Sequence, residues 1–350
     1  MGYFRANVDK MIGYTPGFQP GAADVVKLNT NENPYPPSPE VLKALGGVSA
    51  ERLGRYPSPL SDDFRRVAAE VLGVGSENII CTNGGDDLLT IVIRSFCDEN
   101  RPLAYPSPTY SLYPVLAGLQ NCETLEIPFD SEFNLPARLA SVDAGLTIVC
   151  NPNAPSGTVA AIEELAELAE EIKGVLLIDE AYVDFAEQNC LELVRNFDNV
   201  IILRSMSKGY SLAGVRFGFG IAGEKLIEGL RKVKDSYNVD VLAEAAATAA
   251  MADQAYFKSN VAKVKAERKR LSDELGNLGF FVYPSQANFV FVKNVSSDIE
   301  AAQIYEKLKD ENIYVRYWPY AGIADKLRIT VGTADQNDRL IEAIKKILAG

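Results

Sequence analysis

Residues 199–218 read NVIILRSMSKGYSLAGVRFG, and this stretch decides how the rest of the chain is interpreted. Its apolar start, residues 200–203, is typical of a strand buried on both faces of a parallel sheet. Four polar side chains follow at short spacing: Ser205, Ser207, Lys208 and Arg216. We therefore predict that Lys208 lies where a strand ends and a loop begins, which is where open α/β sheets bind their ligands.

Similar apolar runs precede this stretch and alternate with helical patterns such as AIEELAELAEEI; three of these runs are NIICT, LTIVC and VLLIDE. Continuous apolar strands separated by helices predict an α/β fold of three layers, with helices on both faces of a mostly parallel sheet. Beyond a helix-prone stretch at about 239–276, strands such as NFVFV accompany two further helices. We predict an N-terminal arm over 1–40, a large domain over 41–245, and a smaller α+β domain over 246–350 that includes part of the arm.

The composition excludes several classes of function. A net charge of −12 argues against nucleic acid as a partner, because phosphate backbones require a basic face. The chain has no histidine, which rules out a Ser-His-Asp triad and zinc sites with histidine ligands, and we expect no metal. Five scattered cysteines without CxxC spacing, and no apolar run of signal or membrane-span length, lead us to expect a cytoplasmic protein that does not enter membranes.

Two segments outside the opening stretch carry further candidate residues. TNGGDD (82–87) follows a predicted strand and opens a helix, so Gly84 and Gly85 expose backbone N–H groups that suit a phosphate. Ser205, Ser207 and Arg216 offer hydroxyls and a guanidinium to the same anion. We therefore predict a phosphate site.

The stretch LLIDEAYVDF ends a buried strand at Asp179, and a carboxylate there is costly unless hydrogen bonds or a cation meet it. Asp179 is either a helix N-cap or the partner of a protonated ring nitrogen. Tyr110 and Tyr113 lie in the proline-rich PSPTYSLY, where a flat ring could stack, although isolated tyrosines usually serve packing.

These motifs together resemble those of the fold-type I pyridoxal-phosphate aminotransferases. The shared features are Ser-x-Ser-Lys with an arginine eight residues later, Asp-Glu-Ala-Tyr, and the turn NPNAPSG at 151–157. KLNTNENPYPPSP, GRYPSP, TNGGDDLL and LRITVGT are similar to the histidinol-phosphate aminotransferase branch of that superfamily. The resemblance covers residues 14–332 and implies an aspartate-aminotransferase-like fold with pyridoxal 5′-phosphate as cofactor.

The resemblance also implies a role for each candidate residue. Lys208 would hold the cofactor covalently and move the proton of the substrate's α-carbon, Asp179 would keep the pyridine nitrogen protonated, and Tyr182 would hydrogen-bond the ring's phenolic oxygen. Tyr110 would stack on the ring. The phosphate would be held by Gly84, Gly85, Asp86, Ser205, Ser207 and Arg216.

Further residues would bind the substrate or the neighbouring subunit. Arg328 matches the arginine that binds the substrate's anionic group, while Tyr14 and Asn31 would line the substrate side. Arg316 is either a second substrate contact or a solvated strand charge. In this family the tyrosine that matches Tyr56 reaches the phosphate of the neighbouring subunit, which implies a homodimer with shared active sites.

One position departs from the family pattern. Ala154 in NPNAPSG stands where these enzymes have an asparagine that contacts the phenolic oxygen. Either Asn153 replaces it through a shifted turn, or Tyr182 alone serves that oxygen. Asn153 is equally a turn-forming residue.

The expected activity is transamination between a phosphorylated amine and 2-oxoglutarate, which gives the phosphorylated keto compound and L-glutamate. The favoured amine is L-histidinol phosphate, and its keto counterpart is imidazole-acetol phosphate. Aromatic aminotransferases and threonine-phosphate decarboxylases share most of these motifs and stay open as alternatives. GFGIAG (218–223) spells G-x-G-x-x-G, but the loop-like residues before it and the helical pattern after it disfavour a nicotinamide dehydrogenase. A non-catalytic regulator would need a DNA-binding module, for which the chain has no room.

Overall fold

The computed structural model describes residues 3–21 and 24–349, and the strands of this part of the chain form three sheets. The strands are β1 Val26–Lys27, β2 Ile79–Thr82, β3 Leu103–Ser107, β4 Thr124–Pro128, β5 Leu146–Cys150, β6 Val175–Asp179, β7 Val200–Ser205, β8 Gly218–Ala222, β9 Phe280–Val282, β10 Phe289–Asn294, β11 Ile313–Tyr314 and β12 Lys326–Thr330.

The α-helices cover both faces of the large sheet and one face of the small antiparallel sheet. They are α1 Ala6–Lys10, α2 Pro39–Gly46, α3 Ala50–Leu53, α4 Asp62–Leu72, α5 Gly85–Phe96, α6 Leu112–Gln120, α7 Ile162–Glu171, α8 Leu193–Asn196, α9 Glu224–Arg231, α10 Val241–Ala252, α11 Gln254–Asn277, α12 Ala301–Asp310 and α13 Ala334–Ala349. Short 3-10 turns occur at Ser76–Asn78, Ala137–Ser141 and Val183–Phe185.

The large sheet has seven strands in the order β2-β8-β7-β6-β5-β3-β4. Strands β3 to β7 pair in parallel, as the continuous apolar runs predict, and β8 runs antiparallel between β2 and β7. Successive side chains of β6 point to opposite faces of the sheet, since Ile178 packs into one hydrophobic cluster and Leu177 into another. The sheet is therefore the middle of three layers, and the predicted α/β class is confirmed.

A smaller unit follows, built on the antiparallel sheet β12-β10-β9. Its core joins residues of β10 and β12 to α11, α12 and α13. The arm belongs to this core as well, because β1 pairs in parallel with β11 and Leu28 is buried among the same side chains.

The helix-prone stretch at 239–276 is two helices rather than one. Asp253 separates them, and its carboxylate accepts the backbone N–H of Tyr256 at 3.2 Å as the N-cap of α11. The small apolar residues of α10 pack against the large unit, next to α2 and α4. The domain boundary expected at residue 245 lies inside this helix.

The parallel strands β5, β6 and β7 end side by side at Cys150, Asp179 and Ser205. Parallel strands place their carboxyl ends at one edge, so the loops that follow them share one crevice. Strand β12 of the small unit brings Arg328 to the same crevice.

Candidate active site

A cavity of about 520 Å³ opens at this edge of the large sheet. Its wall combines the arm, the strand ends of the large unit, and the β11–β12 region of the small unit. Of the predicted residues, it brings together Tyr14, Asn31, Gly85, Asp86, Tyr110, Asp179, Tyr182, Ser205, Ser207, Lys208, Arg216, Arg316 and Arg328. This volume suits a ligand of cofactor and substrate size.

The end of the cavity near α5 is arranged to hold an anion. Gly84 has φ of +85°, and a Cβ there would lie 2.7 Å from Arg216 Nη2, so only glycine leaves the space open. The helix that follows directs its first backbone N–H groups toward the same place. Arg216 Nη1 donates to Ser207 Oγ at 3.3 Å, and Arg216 Nη2 lies 3.4 Å from Asp86 Oδ2.

Lys208 lies in the turn after β7, as predicted. Its Nζ donates to the backbone carbonyl of Thr30 at 3.3 Å and lies 5.6 Å from the centre of the Tyr182 ring. Burial, reinforced by the positive charge of Arg328, lowers the pKa of Lys208 to about 8. A large share of this amine is therefore neutral near physiological pH, which a nucleophile or base requires.

Asp179 ends β6 with only 4% of its surface exposed. Its Oδ2 accepts a hydrogen bond from the hydroxyl of Tyr113 at 2.7 Å, and its Oδ1 accepts the backbone N–H of Ala181 at 3.0 Å. Burial raises the pKa of Asp179 to about 6, against the opposing effect of these two hydrogen bonds. Asp179 is therefore a buried carboxylate facing the cavity, and no positive side chain forms an ion pair with it in the described chain.

Tyr182 is oriented by the arm. The Asn31 side-chain amide donates to the Tyr182 hydroxyl at 3.0 Å, and Asn31 Oδ1 in turn accepts from the Thr330 hydroxyl at 3.1 Å. Burial raises the pKa of Tyr182 to about 12, so the phenol stays protonated. Because the Asn31 amide donates to the Tyr182 oxygen, the hydroxyl proton of Tyr182 is not used in this bond and can be donated into the cavity.

Tyr110 and Tyr14 form an aromatic wall. Their ring centres are 5.9 Å apart in an edge-to-face arrangement, and the Tyr110 hydroxyl donates to Asp86 Oδ1 at 3.2 Å. Tyr110 therefore joins the anion end of the cavity to the face against which a flat ring would lie.

Two arginines from the small unit lie side by side on the opposite wall. Arg316 and Arg328 pair in an antiparallel bridge, and both guanidinium carbons lie 5.1 Å from the centre of the Trp318 ring. Arg328 Nη2 donates to the Asn29 carbonyl at 3.0 Å, whereas its buried Nε has no partner within the described residues. A buried donor without an acceptor is costly, which indicates that an anion belongs there.

Asn153 lies behind the cavity wall formed by Ala154 and Pro155. Its amide has partners inside and outside the turn, because its Nδ2 donates to Ser156 Oγ at 2.9 Å and its Oδ1 accepts from the hydroxyl of Thr109, in the loop after β3, at 2.8 Å. Of the two expectations for the phenolic oxygen, this arrangement favours Tyr182 acting without Asn153.

Tyr56 lies on the surface, away from the cavity. Its side chain is 80% exposed and stacks on Tyr237 with ring centres 4.5 Å apart. Within one subunit, the structure therefore does not bring Tyr56 to the other candidate residues.

Three residues have roles in the site that the sequence did not predict. Tyr113 donates to Asp179, Trp318 contacts both arginines, and Glu32 lies in the cavity wall where its charge opposes the lowering of the Lys208 pKa. Trp318 is the single tryptophan of the chain, which was the one available signal. Tyr113 stands out only by its spacing of three residues from Tyr110.

Pyridoxal phosphate fits the donor set of this cavity. The glycine-lined end with Ser205, Ser207 and Arg216 suits its phosphate, and the buried Asp179 suits a protonated ring nitrogen. A lysine with a lowered pKa lines the same cavity, together with Arg328. The fold and the site together define an enzyme of the pyridoxal-phosphate-dependent class.

Comparison with known proteins agrees with this definition. The family model described as aminotransferase class I and II matches residues 23–344. "Histidinol-phosphate aminotransferase 1" of Trichormus variabilis is 50% identical over 348 residues, covering 99% of both chains, and the histidinol-phosphate aminotransferase of Rhodopirellula baltica is 42% identical over 99% of this chain and 96% of its own. The chain belongs to the aminotransferase class I and II family.

Among solved structures, the fold is similar to histidinol-phosphate aminotransferase from Sinorhizobium meliloti in complex with pyridoxal-5′-phosphate. The TM-score is 0.88 at 25% identity, and the match covers 99% of both chains. The resemblance inferred from the sequence motifs is confirmed. Within the described residues, no helix combines the length and apolar character needed to cross a membrane, and no three acidic or cysteine side chains cluster as metal ligands.

Proposed function

We propose that this chain transfers an amino group between L-glutamate and imidazole-acetol phosphate, giving 2-oxoglutarate and L-histidinol phosphate. The observation that carries the proposal is one cavity that contains Lys208, the anion end near α5 and Arg328, whose Nε has no partner among the described residues. Two separate anion sites suit a phosphate-bearing cofactor and an anionic substrate. The names of the two full-length relatives support this choice of substrate.

Pyridoxal phosphate, when bound, supplies an aldehyde that exchanges amines and a ring that accepts electron density from the substrate's α-carbon. The residues proposed to hold its phosphate are Gly84, Gly85, Ser205, Ser207, Arg216 and the backbone of Asp86. Tyr110 is proposed to pack against the ring, and the Asp86 carboxylate orients Tyr110 through the hydrogen bond to its hydroxyl.

Lys208 is proposed to act as nucleophile and then as base. A neutral amine at Nζ can accept the proton of the substrate's α-carbon and then donate it to the carbon that is the aldehyde carbon of the free cofactor. The Thr30 carbonyl fixes the direction of this amine, and burial beside Arg328 lowers its pKa so that a substantial fraction of it is neutral near physiological pH.

Asp179 and Tyr182 are proposed to control two protons on the cofactor ring. The Asp179 carboxylate would accept a hydrogen bond from the ring nitrogen and keep it protonated, because a buried anion favours a cation beside it. The Tyr182 proton, left free by Asn31, would be donated to the phenolic oxygen.

Arg328 and Arg316 are proposed to bind the anionic group of either substrate. A guanidinium donates paired hydrogen bonds to a carboxylate or a phosphate with similar geometry. One site can therefore bind glutamate and the phosphorylated partner in turn. Tyr14, at the rim of the cavity, would cover the side chain of the bound substrate.

We further propose that the enzyme is a cytoplasmic homodimer with shared active sites. Exposed apolar side chains occur on α2 and α10, which pack together, and in the stacked pair Tyr56 and Tyr237: Leu42, Leu242, Tyr56 and Tyr237. Burying such a surface against a second copy is favourable and would carry Tyr56 toward the partner's phosphate site. Five free, buried cysteines suit a reducing compartment.

The substrate proposal is tested by single-turnover spectroscopy. The protein loaded with pyridoxal phosphate is mixed separately with L-histidinol phosphate, L-phenylalanine and L-threonine phosphate. We expect fast conversion to the pyridoxamine form with histidinol phosphate alone, and none in the Lys208→Ala variant. Equally fast conversion with phenylalanine would indicate an aromatic aminotransferase, and CO₂ release from threonine phosphate without conversion would indicate a decarboxylase.

The shared site is tested with hybrid dimers. Lys208→Ala and Tyr56→Ala subunits are each expected to have little activity. If Tyr56 acts across the interface, mixing the two variants creates one complete site per hybrid dimer and restores activity. A mixture no more active than its parts, although subunit exchange is verified by mass spectrometry, would exclude Tyr56 from the partner's site.

A further inference from the structure

Tyr113 lies beneath the cavity, in the first turn of α6, and its side chain is fully buried. Its hydroxyl donates to Asp179 Oδ2 at 2.7 Å, while the backbone N–H of Ala181 donates to Oδ1 at 3.0 Å. Within the described chain these two bonds hold the Asp179 carboxylate. Among the described residues, Tyr113 therefore supplies the one side-chain hydrogen bond to this carboxylate.

The direction of this hydrogen bond is fixed by the chemistry of the pair. Burial raises the pKa of Tyr113 well above its ordinary value, so the phenol keeps its proton. A protonated hydroxyl beside an ionised carboxylate can only donate to it. Donation stabilises the charged form of Asp179, which opposes the effect of burial on the Asp179 pKa.

The Tyr113 ring also touches the aromatic wall. It packs edge-to-face on Tyr110, with ring centres 5.6 Å apart, and on Tyr105 at 5.9 Å. The buried Tyr113 side chain thus contacts both Asp179, which is proposed to face the ring nitrogen of the cofactor, and Tyr110, which is proposed to pack against the ring plane.

We propose that Tyr113 is a positioning residue that sets the charge and the orientation of Asp179 toward the pyridine nitrogen of the cofactor. The inference rests on the proposed function, because it takes Asp179 as the partner of that nitrogen. The other groups that act on this carboxylate are the negative charges of Asp86 and Glu180, which favour its neutral form, and the buried Cys150 thiol of β5.

The test compares Tyr113→Phe with a matched control, Tyr105→Phe. Each variant removes one buried hydroxyl from neighbouring rings, but the Tyr105 hydroxyl donates to Glu126 at 3.0 Å instead. The measurement is the dissociation constant of pyridoxal phosphate from each apo-protein, by equilibrium dialysis between pH 5 and 9, after circular dichroism has verified the fold.

In the wild type, affinity should fall as the pH drops through about 6, where Asp179 becomes neutral. Without the Tyr113 donor the Asp179 pKa rises, so we expect this midpoint to move upward by about one pH unit. The affinity should then fall about twofold at pH 7 and about ninefold at pH 5, because binding follows the ionised fraction of Asp179. Tyr105→Phe should change neither. An unchanged midpoint and affinity in Tyr113→Phe would overturn the inference.

Asp179→Asn separates this inference from the proposed function. If Asp179→Asn binds pyridoxal phosphate like the wild type at every pH, the assignment of Asp179 itself fails. If Asp179→Asn weakens binding and removes the pH dependence while Tyr113→Phe does neither, only the role of Tyr113 fails.

A second measurement does not depend on the folding of any variant. In wild-type apo-protein labelled with ¹³C at tyrosine Cζ, the Tyr113 resonance should shift as Asp179 titrates near pH 6, because its proton is shared with that carboxylate. A Tyr113 resonance that is constant from pH 5 to 8 would contradict the inference.

Discussion

The lowered pKa of Lys208 can be tested without cofactor or substrate. In the apo-protein, burial and the positive charge of Arg328 lower this pKa from 10.5 to about 8, against the negative charges of Glu32 and Asp86. At pH 7.5 such a shift raises the neutral fraction of the amine from about 0.1% to about a quarter. The reactivity of Lys208 should therefore reach half its maximum near pH 8.

The assay is competitive labelling with a trace of acetic anhydride over pH 6–11, with each lysine peptide quantified by mass spectrometry. Lys269, whose side chain is 78% exposed, serves as the internal standard. Lys208 should be fully reactive at a pH where labelling of an ordinary lysine is still increasing, because only the neutral amine reacts.

Two charge variants make the test specific. Arg328→Gln removes a cation that disfavours the charged amine, so the Lys208 midpoint should rise. Glu32→Gln removes an anion that favours the charged amine, so the midpoint should fall. A wild-type midpoint at about 10 or above, or variants that both shift in the same direction, would refute the reasoning.

Three further outcomes are expected. Glu180→Gln should destabilise the apo-protein by about 3–5 kcal/mol in urea unfolding, because it leaves the Arg204 cation without its buried partner at 2.6 Å, and a loss below about 1 kcal/mol would contradict this. Binding of L-histidinol phosphate should change the emission of Trp318, the single tryptophan, while a spectrum unchanged at saturation would place the substrate elsewhere. Ile178→Ala should cost about 2–5 kcal/mol by opening a cavity in the sheet core, measured by the same unfolding curves.

The parts of the site that could be predicted are those with a local pattern. An apolar run that ends in a polar residue marks the carboxyl end of a buried strand, which located Asp179 and Lys208. Two glycines before a helix marked the anion end at Gly84 and Gly85. These patterns act over fewer than about ten residues, so they can be read without knowledge of the fold.

The contacts that orient these groups could not be predicted in this way. Tyr113 and Asp179 are 66 residues apart, and Asn31 and Tyr182 are 151 apart. Nothing in the neighbourhood of an isolated tyrosine tells which distant carboxylate its hydroxyl will meet. Trp318 is closer along the chain to Arg316 and Arg328, but only the bridge between these two arginines brings both guanidinium groups to its ring.

The sequence by itself determined the layered α/β architecture, the strand ends at which chemistry occurs, and the residue types that suit a phosphate and a ring nitrogen. Hydrophobic periodicity and backbone preferences are local properties, so they survive in the one-dimensional pattern. Only the tertiary structure decided that the Asn153 amide bonds Thr109 and Ser156, that Tyr56 faces outward, and that the Tyr113 hydroxyl meets Asp179. Hydrogen bonds and charge interactions depend on distances of a few ångströms between groups far apart along the chain, and packing alone sets those distances.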